Sequence, residues 1–318
     1  MRKLAYSTNQ FGLDLMRVMD RSEQSNAFCP ICISSSLVML LMGSQGSTSS
    51  ALRHALYLWG MQTSEINLAY YDMMNHLGVN MASLLPQRRI GSATEFATSL
   101  ANPDISAGNE IAFLNHIYVQ RDFGINYNYH MLLQRYYKTA IHPLDFIDNG
   151  YETRQHINAI VEKQTMGKIR NILADRQSPA TQLLMLSALY FKGTLDLNVT
   201  AASGGFTSLA SGTSSKPYLY SGNGKRKVSP FDVQSILEAH NARIRYGFNR
   251  YLNCTTVEMP FRGGLITLVA MMPNDPNGLD TLLIKLSAQV LSDVINSLEV
   301  KRVNVKVSHS LGIFYLIY

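Results

Sequence analysis

The sequence predicts an α+β fold with at least one strand covered on both faces. Three observations carry that expectation. Residues 183–191, Leu-Leu-Met-Leu-Ser-Ala-Leu-Tyr-Phe, are apolar except at Ser187, and a strand without alternation needs a layer above and below it. Gly193 then stops the strand. Upstream, Ile157, Ile160, Val161 and Ile169 keep roughly helical spacing, while Thr165, Gly167 and Lys168 read as the end of that helix and the exit from it. Near the carboxyl end, Val303, Val305 and Val307 begin a further strand by alternation.

Composition bounds the function classes. The chain has 318 residues, 46% of them hydrophobic, enough for one large domain or two ordinary ones and too apolar for a disordered chain. The formal net charge is +6, but the basic residues are scattered, and Arg88-Arg89 and Lys225-Arg-Lys227 are the only notable runs. A nucleic-acid protein gathers such residues into a stripe with interleaved aromatics, so a solvated basic surface is expected and no nucleic-acid partner. The first ten residues start positive but lack the apolar run of a signal peptide. No stretch approaches the roughly 20 apolar residues that span a bilayer. No membrane partner is expected, and cytoplasmic residence is favoured.

The elements follow in order. Residues 7–19 place Phe11, Leu13, Leu15, Met16 and Met19 on one broad face, opposite Asp14, Arg17 and Asp20, which is an amphipathic helix. Residues 26–43 read as a short strand, a turn at Pro30 and a buried helix of small and apolar residues. A further helix is expected over 64–77, with Ile66, Leu68, Tyr70 and Met73-Met74, and residues 78–108 read as an irregular surface loop. Order returns over 110–120. Residues 200–227 turn sharply toward Ser and Gly and read as a flexible insertion, with a tight turn at Gly222-Asn-Gly224 rather than a phosphate-cradling loop. One amphipathic helix is expected over 279–298.

Candidate chemistry is sparse. Cys29-Pro-Ile-Cys32 has the spacing of a redox pair, and a thiolate at a helix start is stabilised by the helix dipole. No thioredoxin-like strand-helix-strand unit surrounds it, however, and free Cys is among the most buried residue types, so two buried packing thiols are expected. Three cysteines in all, with Cys254, make no disulfide framework, which fits a reducing compartment. His116 has no second His or carboxylate at ligand spacing and reads as a packed or edge-exposed side chain. No metal site or cofactor is expected. No Gly-x-Ser-x-Gly is present, and no catalytic residue is assigned. Asn198-Val-Thr200 and Asn253-Cys-Thr255 are glycosylation acceptors only if the protein is secreted.

Taken together, several motifs resemble the serpin family. The helix exit Asn158-x-x-Val161-x-x-x-Thr165-x-Gly167-Lys168-Ile169 and the strand Ala188-x-Tyr190-Phe191-Lys192-Gly193 match family patterns. So do Met42-Gly-Ser-Gln-Gly-Ser-Thr48, Asn115 with Ile117-Tyr-Val-Gln120, Tyr137 and Asp145-Phe146, and residues 26–33 run alongside the family's Asn-x-Phe-x-Ser-Pro-x-Ser-Ile. Residues 243–248, 256–264 and 265–273 resemble consecutive strands of the second serpin sheet, and Phe11-Gly-Leu-Asp-Leu15 matches the start of the ovalbumin-like group, some of whose members leave the cell without a cleaved signal. The resemblance implies a single domain over 1–318 with a large mixed sheet, smaller antiparallel sheets and about eight helices. It also marks four hinge positions: Cys29 and Cys32 fall on two family serines beneath the sheet, Ser187 on a family Asn, and Leu195 on a family Trp.

For function the resemblance implies a serine-protease inhibitor in which the protease cleaves an exposed reactive loop and the loop inserts into the main sheet. The match covers residues 7–307. The family then continues through Leu-Pro-Lys/Arg-Phe toward the reactive loop and two buried carboxyl-terminal strands, whereas this sequence reads Val307-Ser-His-Ser-Leu-Gly-Ile-Phe-Tyr-Leu-Ile-Tyr318. The expectation is therefore a truncated isoform or fragment with those strands missing, no reactive loop, no protease inhibition as written, and a tendency to self-associate. A non-inhibitory binding protein is the alternative.

Overall fold

The computed structural model describes residues 2–19, 28–76, 109–197, 200–202, 218–221, 224–227 and 235–309. Backbone contacts divide the chain into two compact units, Met1–Phe11 with Cys29–Gly193 and Gly12–Phe28 with Thr194–Tyr318. Eight α-helices and ten strands lie among the described residues. The amphipathic helix expected at the amino end is α1 (Arg2–Val18), which contributes to both units.

The first unit holds α2 (Pro30–Gly43), α3 (Gly46–Ala55), α4 (Thr63–His76), β1 (Glu110–Gln120), α5 (Tyr127–Leu132), β2 (Ile141–Leu144), α6 (Gly150–Gln164) and β3 (Leu183–Lys192). Its sheet runs β2-β1-β3 and is mixed: β2 lies parallel to β1, and β3 antiparallel, with Asn115 opposite Ser187. The absence of alternation in β1 and β3 has the cause the sequence implied. Phe113, Ile117 and Val119 enter one core with α2 and α4, while Leu114, Tyr118, Leu186 and Ala188 enter another with Ile157 and Val161 of α6. Side chains alternate between faces, and both faces are covered.

The second unit holds β4 (Thr200–Ala202), β5 (Tyr218–Ser221), β6 (Gly224–Lys227), β7 (Ser235–Asn249), β8 (Cys254–Pro260), β9 (Thr267–Pro273), α7 (Leu279–Lys285), α8 (Ala288–Asn296) and β10 (Glu299–His309). Its main sheet is antiparallel in the order β10-β7-β8-β9, with β4 also on β7. Leu13, Leu252, Cys254, Leu282, Leu286, Leu291 and Val294 form its core. The Arg17 guanidinium donates to the carbonyls of Leu283 and Leu286, satisfying acceptors that the end of α7 leaves open.

Three expectations are corrected here. The single helix expected over 279–298 is two helices, because Ser287 adopts an extended backbone and its hydroxyl accepts from Val290 N at 3.2 Å, which starts α8 afresh. The region read as a flexible insertion contains β4 and the antiparallel β5–β6 pair, with Ser221 opposite Gly224, while the turn expected at Gly222-Asn-Gly224 lies largely outside the described residues. The third concerns Cys29 and Cys32, described below. The short strand expected before Pro30 and the loop expected over 78–108 fall almost wholly outside the described residues.

Candidate functional site: the polar cluster between α2 and the β1–β3 pair

The start of α2 is fixed chemically. Cys29 is its N-cap residue in extended backbone, Pro30 takes the first helical position where a missing N–H costs nothing, and Cys32 N donates to Cys29 Sγ at 3.2 Å. Cys29 and Cys32 are joined as a disulfide, not held as two separate packing thiols. The physical reason is the helix itself, since a first turn brings residues three apart onto one side of the chain. Cys32 is 4% exposed and Cys29 half-buried. Cys254, the remaining cysteine, is buried in the second unit as a free thiol whose pKa is pushed up by desolvation.

From this turn a chain of polar contacts reaches the sheet. The single Ser35 hydroxyl proton is shared between Cys32 O at 2.9 Å and Asn115 Oδ1 on β1 at 3.2 Å. Ser187 on β3 donates to the same Asn115 oxygen and is hydrogen-bonded to Ser36 of α2. The structure thus brings Cys29, Cys32 and Ser187, three of the four positions that the family resemblance singled out, into one network. The fourth, Leu195, belongs to the second unit, where residues 194–196 lie antiparallel to 260–262 through Leu195–Phe261, Asp196 N to Pro260 O at 2.8 Å and Arg262 N to Thr194 O at 2.9 Å.

On the opposite face of the sheet, α6 covers a second polar group. His116, 1% exposed, is hydrogen-bonded to Gln164 through Nε2 at 2.6 Å. The rings of His116, Tyr118 and His142 lie 5.6–5.7 Å apart. His116 Nδ1, Tyr118 OH and His142 Nε2 are buried without a hydrogen-bond partner among the described residues. Burial pushes His116 down to about 4, outweighing the Gln164 hydrogen bond, and also lowers His142 and raises Tyr118. His116 is thus a packed side chain rather than an edge-exposed one. The sequence alone gave no sign of Gln164 as its partner, because a contact across 48 positions has no local pattern.

The helix exit explains the matched motif residues. Thr165 Oγ1 donates to Val161 O at 2.8 Å and accepts from Ile169 N at 3.0 Å. Met166 and Gly167 adopt φ of 53° and 75°, the left-handed turn that glycine favours, and Gly167 N returns to Glu162 O at 2.7 Å. Asn158 then clamps the departing chain, giving Nδ2 to Leu173 O at 3.0 Å and accepting from Leu173 N at 2.9 Å. Lys168 Nζ lies 5.9 Å from the ring centroid of Tyr190, and both Tyr190 OH and Lys192 Nζ reach the Glu110 carboxylate, at 3.3 and 3.2 Å. Phe191 pairs with Ile111 in the sheet, and Gly193 follows the last residue of β3.

The sequence profile of the family described as Serpin (serine protease inhibitor) matches residues 6–310, and the chain belongs to that family. Among similar proteins, Serpin B13 of Mus musculus is 22% identical, the match covering 96% of this chain and 73% of the relative. Intracellular coagulation inhibitor 2 of Tachypleus tridentatus is 26% identical over 93% of this chain and 63% of its own length. Leukocyte elastase inhibitor A of Mus musculus is 23% identical over 91% and 66%. The chain thus spans about two thirds of the length of these relatives. Emu (Dromaius novaehollandiae) ovalbumin superposes with a TM-score of 0.73 at 16% identity, covering 96% of this chain and 73% of the other. Human thyroxine-binding globulin gives 0.70 at 17%, covering 96% and 72%. These likenesses establish the α+β serpin fold. Among the described residues no helix is long and apolar enough to cross a membrane.

Proposed function

We propose that the protein is nominally of the serine-protease-inhibitor class, with the free edge of β3 as the place where an added strand would join the sheet. The observation that carries this reading is the edge itself: β3 is hydrogen-bonded to β1 on one side and pairs with no strand on the other among the described residues. An unpaired edge backed by a packed core is the geometry by which an extended segment joins a sheet, its backbone groups supplying the bonds. The Ser36–Ser187–Asn115 contacts lie midway along that strand, so they hold β3 against α2 where an incoming strand would press. The names of the relatives, an elastase inhibitor and a coagulation inhibitor, support the same class.

The matched motifs contain no bait segment, so the polypeptide 1–318 by itself is non-inhibitory in this reading. Incubation with trypsin-, chymotrypsin- and elastase-like enzymes leaves their activity unchanged, and a complex that survives denaturing electrophoresis would overturn this. A second reading, a non-inhibitory binding protein, rests on Ser187: a hydroxyl there makes shorter-reaching contacts than the family's amide, which changes the strand where insertion would occur. Cytoplasmic residence agrees with the relative named as intracellular.

A further inference from the structure

We infer that Cys29 and Cys32 form a reversible redox centre that exchanges with small thiols of the glutathione class. Four observations converge. The two sulfurs are joined as a disulfide across one helical turn. Their residue accessibilities differ, Cys29 being half-buried against the core and Cys32 buried, so attack is expected at Cys29. Cys29 is the N-cap of a fourteen-residue helix, where the helix dipole favours an anion. Finally, Cys32 N already donates to Cys29 Sγ, and that bond strengthens when the sulfur carries charge. A buried structural pair would need none of this asymmetry.

The exchange balances in two steps. A glutathione thiolate attacks Cys29 Sγ, the protein S–S bond breaks, and Cys32 leaves as a thiolate that takes up a proton. A second glutathione thiolate attacks the glutathione sulfur of the mixed disulfide, releasing the Cys29 thiolate and glutathione disulfide. Two electrons have passed from two glutathione thiolates to the protein, the proton taken up at Cys32 comes from solvent, and glutathione disulfide drives the reverse. The structural consequence lies next door, because Ser35 bonds both the Cys32 carbonyl and Asn115 on β1. Opening the disulfide frees the turn that positions Ser35 and Ser36 against β1 and β3.

The test is a redox titration of the full chain in buffers of varied glutathione to glutathione-disulfide ratio, quenched with acid, alkylated and read by mass. The expected result is a reversible two-electron transition, approached equally from either side, in protein whose circular dichroism stays native. In the reduced folded protein Cys29 is alkylated on the order of tenfold faster than Cys32. Cys32→Ser accumulates a glutathione adduct on Cys29. A disulfide that resists millimolar glutathione until the protein unfolds would overturn the inference, as would a dithiol that does not reoxidise. Equal alkylation rates at the two sulfurs would also overturn it. If the variant fails to fold, the wild-type titration and alkylation rates decide.

Discussion

Ser187 on β3 and Asn115 on β1 face each other directly across the antiparallel pair, and the serine hydroxyl donates to the asparagine side-chain oxygen. The same oxygen accepts from Ser35 of α2, while Ser36 of α2 bonds Ser187, so one amide ties a helix to two strands. Ser187→Ala removes two of these contacts and leaves Asn115 with one hydroxyl. Stability falls by about 1–3 kcal/mol, the cost of under-satisfying a buried polar group. Urea unfolding should show a lower midpoint at unchanged slope.

Asn158 carries a similar weight on the other face. In Asn158→Ala the Leu173 N–H loses its acceptor, while the Leu173 carbonyl keeps Arg154 Nε at 3.0 Å. One orphaned donor costs about 1–3 kcal/mol. Asn158→Asp keeps the acceptor but sets a charge among apolar neighbours and gives up the bond to Leu173 O, so it does not restore wild-type stability. Unfolding midpoints of both variants, measured side by side, check the order.

Much of this frame was legible in the sequence, and the limits have physical causes. The β3 run from Leu183 announced cover on both faces because apolarity without alternation has one cheap explanation, and β1 and α6 follow from it. Thr165 and Gly167 marked the helix exit because a left-handed turn restricts residue choice. The break at Ser287 was hidden, since one polar residue inside an amphipathic pattern also suits a continuous helix, and only the extended backbone distinguishes a cap. The disulfide at Cys29 and Cys32 was hidden for a different reason: spacing is shared by buried thiols and bonded pairs, and the choice depends on the backbone of the turn. The His116–Gln164 contact joins β1 to the end of α6, a pairing no local pattern encodes.

Gly167 tests the exit directly. A Cβ there would meet only the Arg170 guanidinium at 3.6 Å, so space is not the obstacle. The obstacle is φ of 75°, which an L side chain adopts at a cost of roughly 1–2 kcal/mol. Gly167→Ala should lower the unfolding midpoint by that amount without changing the circular dichroism spectrum.

The His116–Tyr118–His142 group gives the protein an acid-sensitive core. Desolvation holds His116 at about 4 in the folded state, against about 6.5 in an unfolded chain. The folded form therefore prefers the neutral ring. Its contribution is full above pH 6.5 and is lost as the pH falls toward 4, to a total of about 3 kcal/mol, and protonation of His142 works in the same direction. The groups that bear on the cluster are Gln164, His156 and His130, none of them an anion that would shelter a cation. His116→Gln should flatten the pH dependence of the urea midpoint between pH 6.5 and 4. An unchanged slope would place the acid sensitivity in carboxylates such as Asp145, which backbone and side-chain hydrogen bonds hold below the usual range.

The last prediction concerns the edge of the second sheet. In the order β10-β7-β8-β9, the outer side of β9 pairs with no strand among the described residues. Thr267–Met272 carries no charge and no proline, and Met272 and nearby Leu265 are 52% and 60% exposed. Natural sheets blunt such edges with charge, proline or a covering segment, because an open row of N–H and C=O groups pairs with any extended chain. The polypeptide 1–318, expressed alone, should therefore associate with itself in a concentration-dependent way. Met272→Lys places a charge on an already exposed position opposite Thr255, where it costs the fold little and repels a second copy. Light scattering over a dilution series compares the two proteins. The wild type should shift toward larger species as concentration rises, and the lysine variant should stay smaller at equal concentration. A wild-type chain that remains a monodisperse monomer throughout would show that β9 is covered.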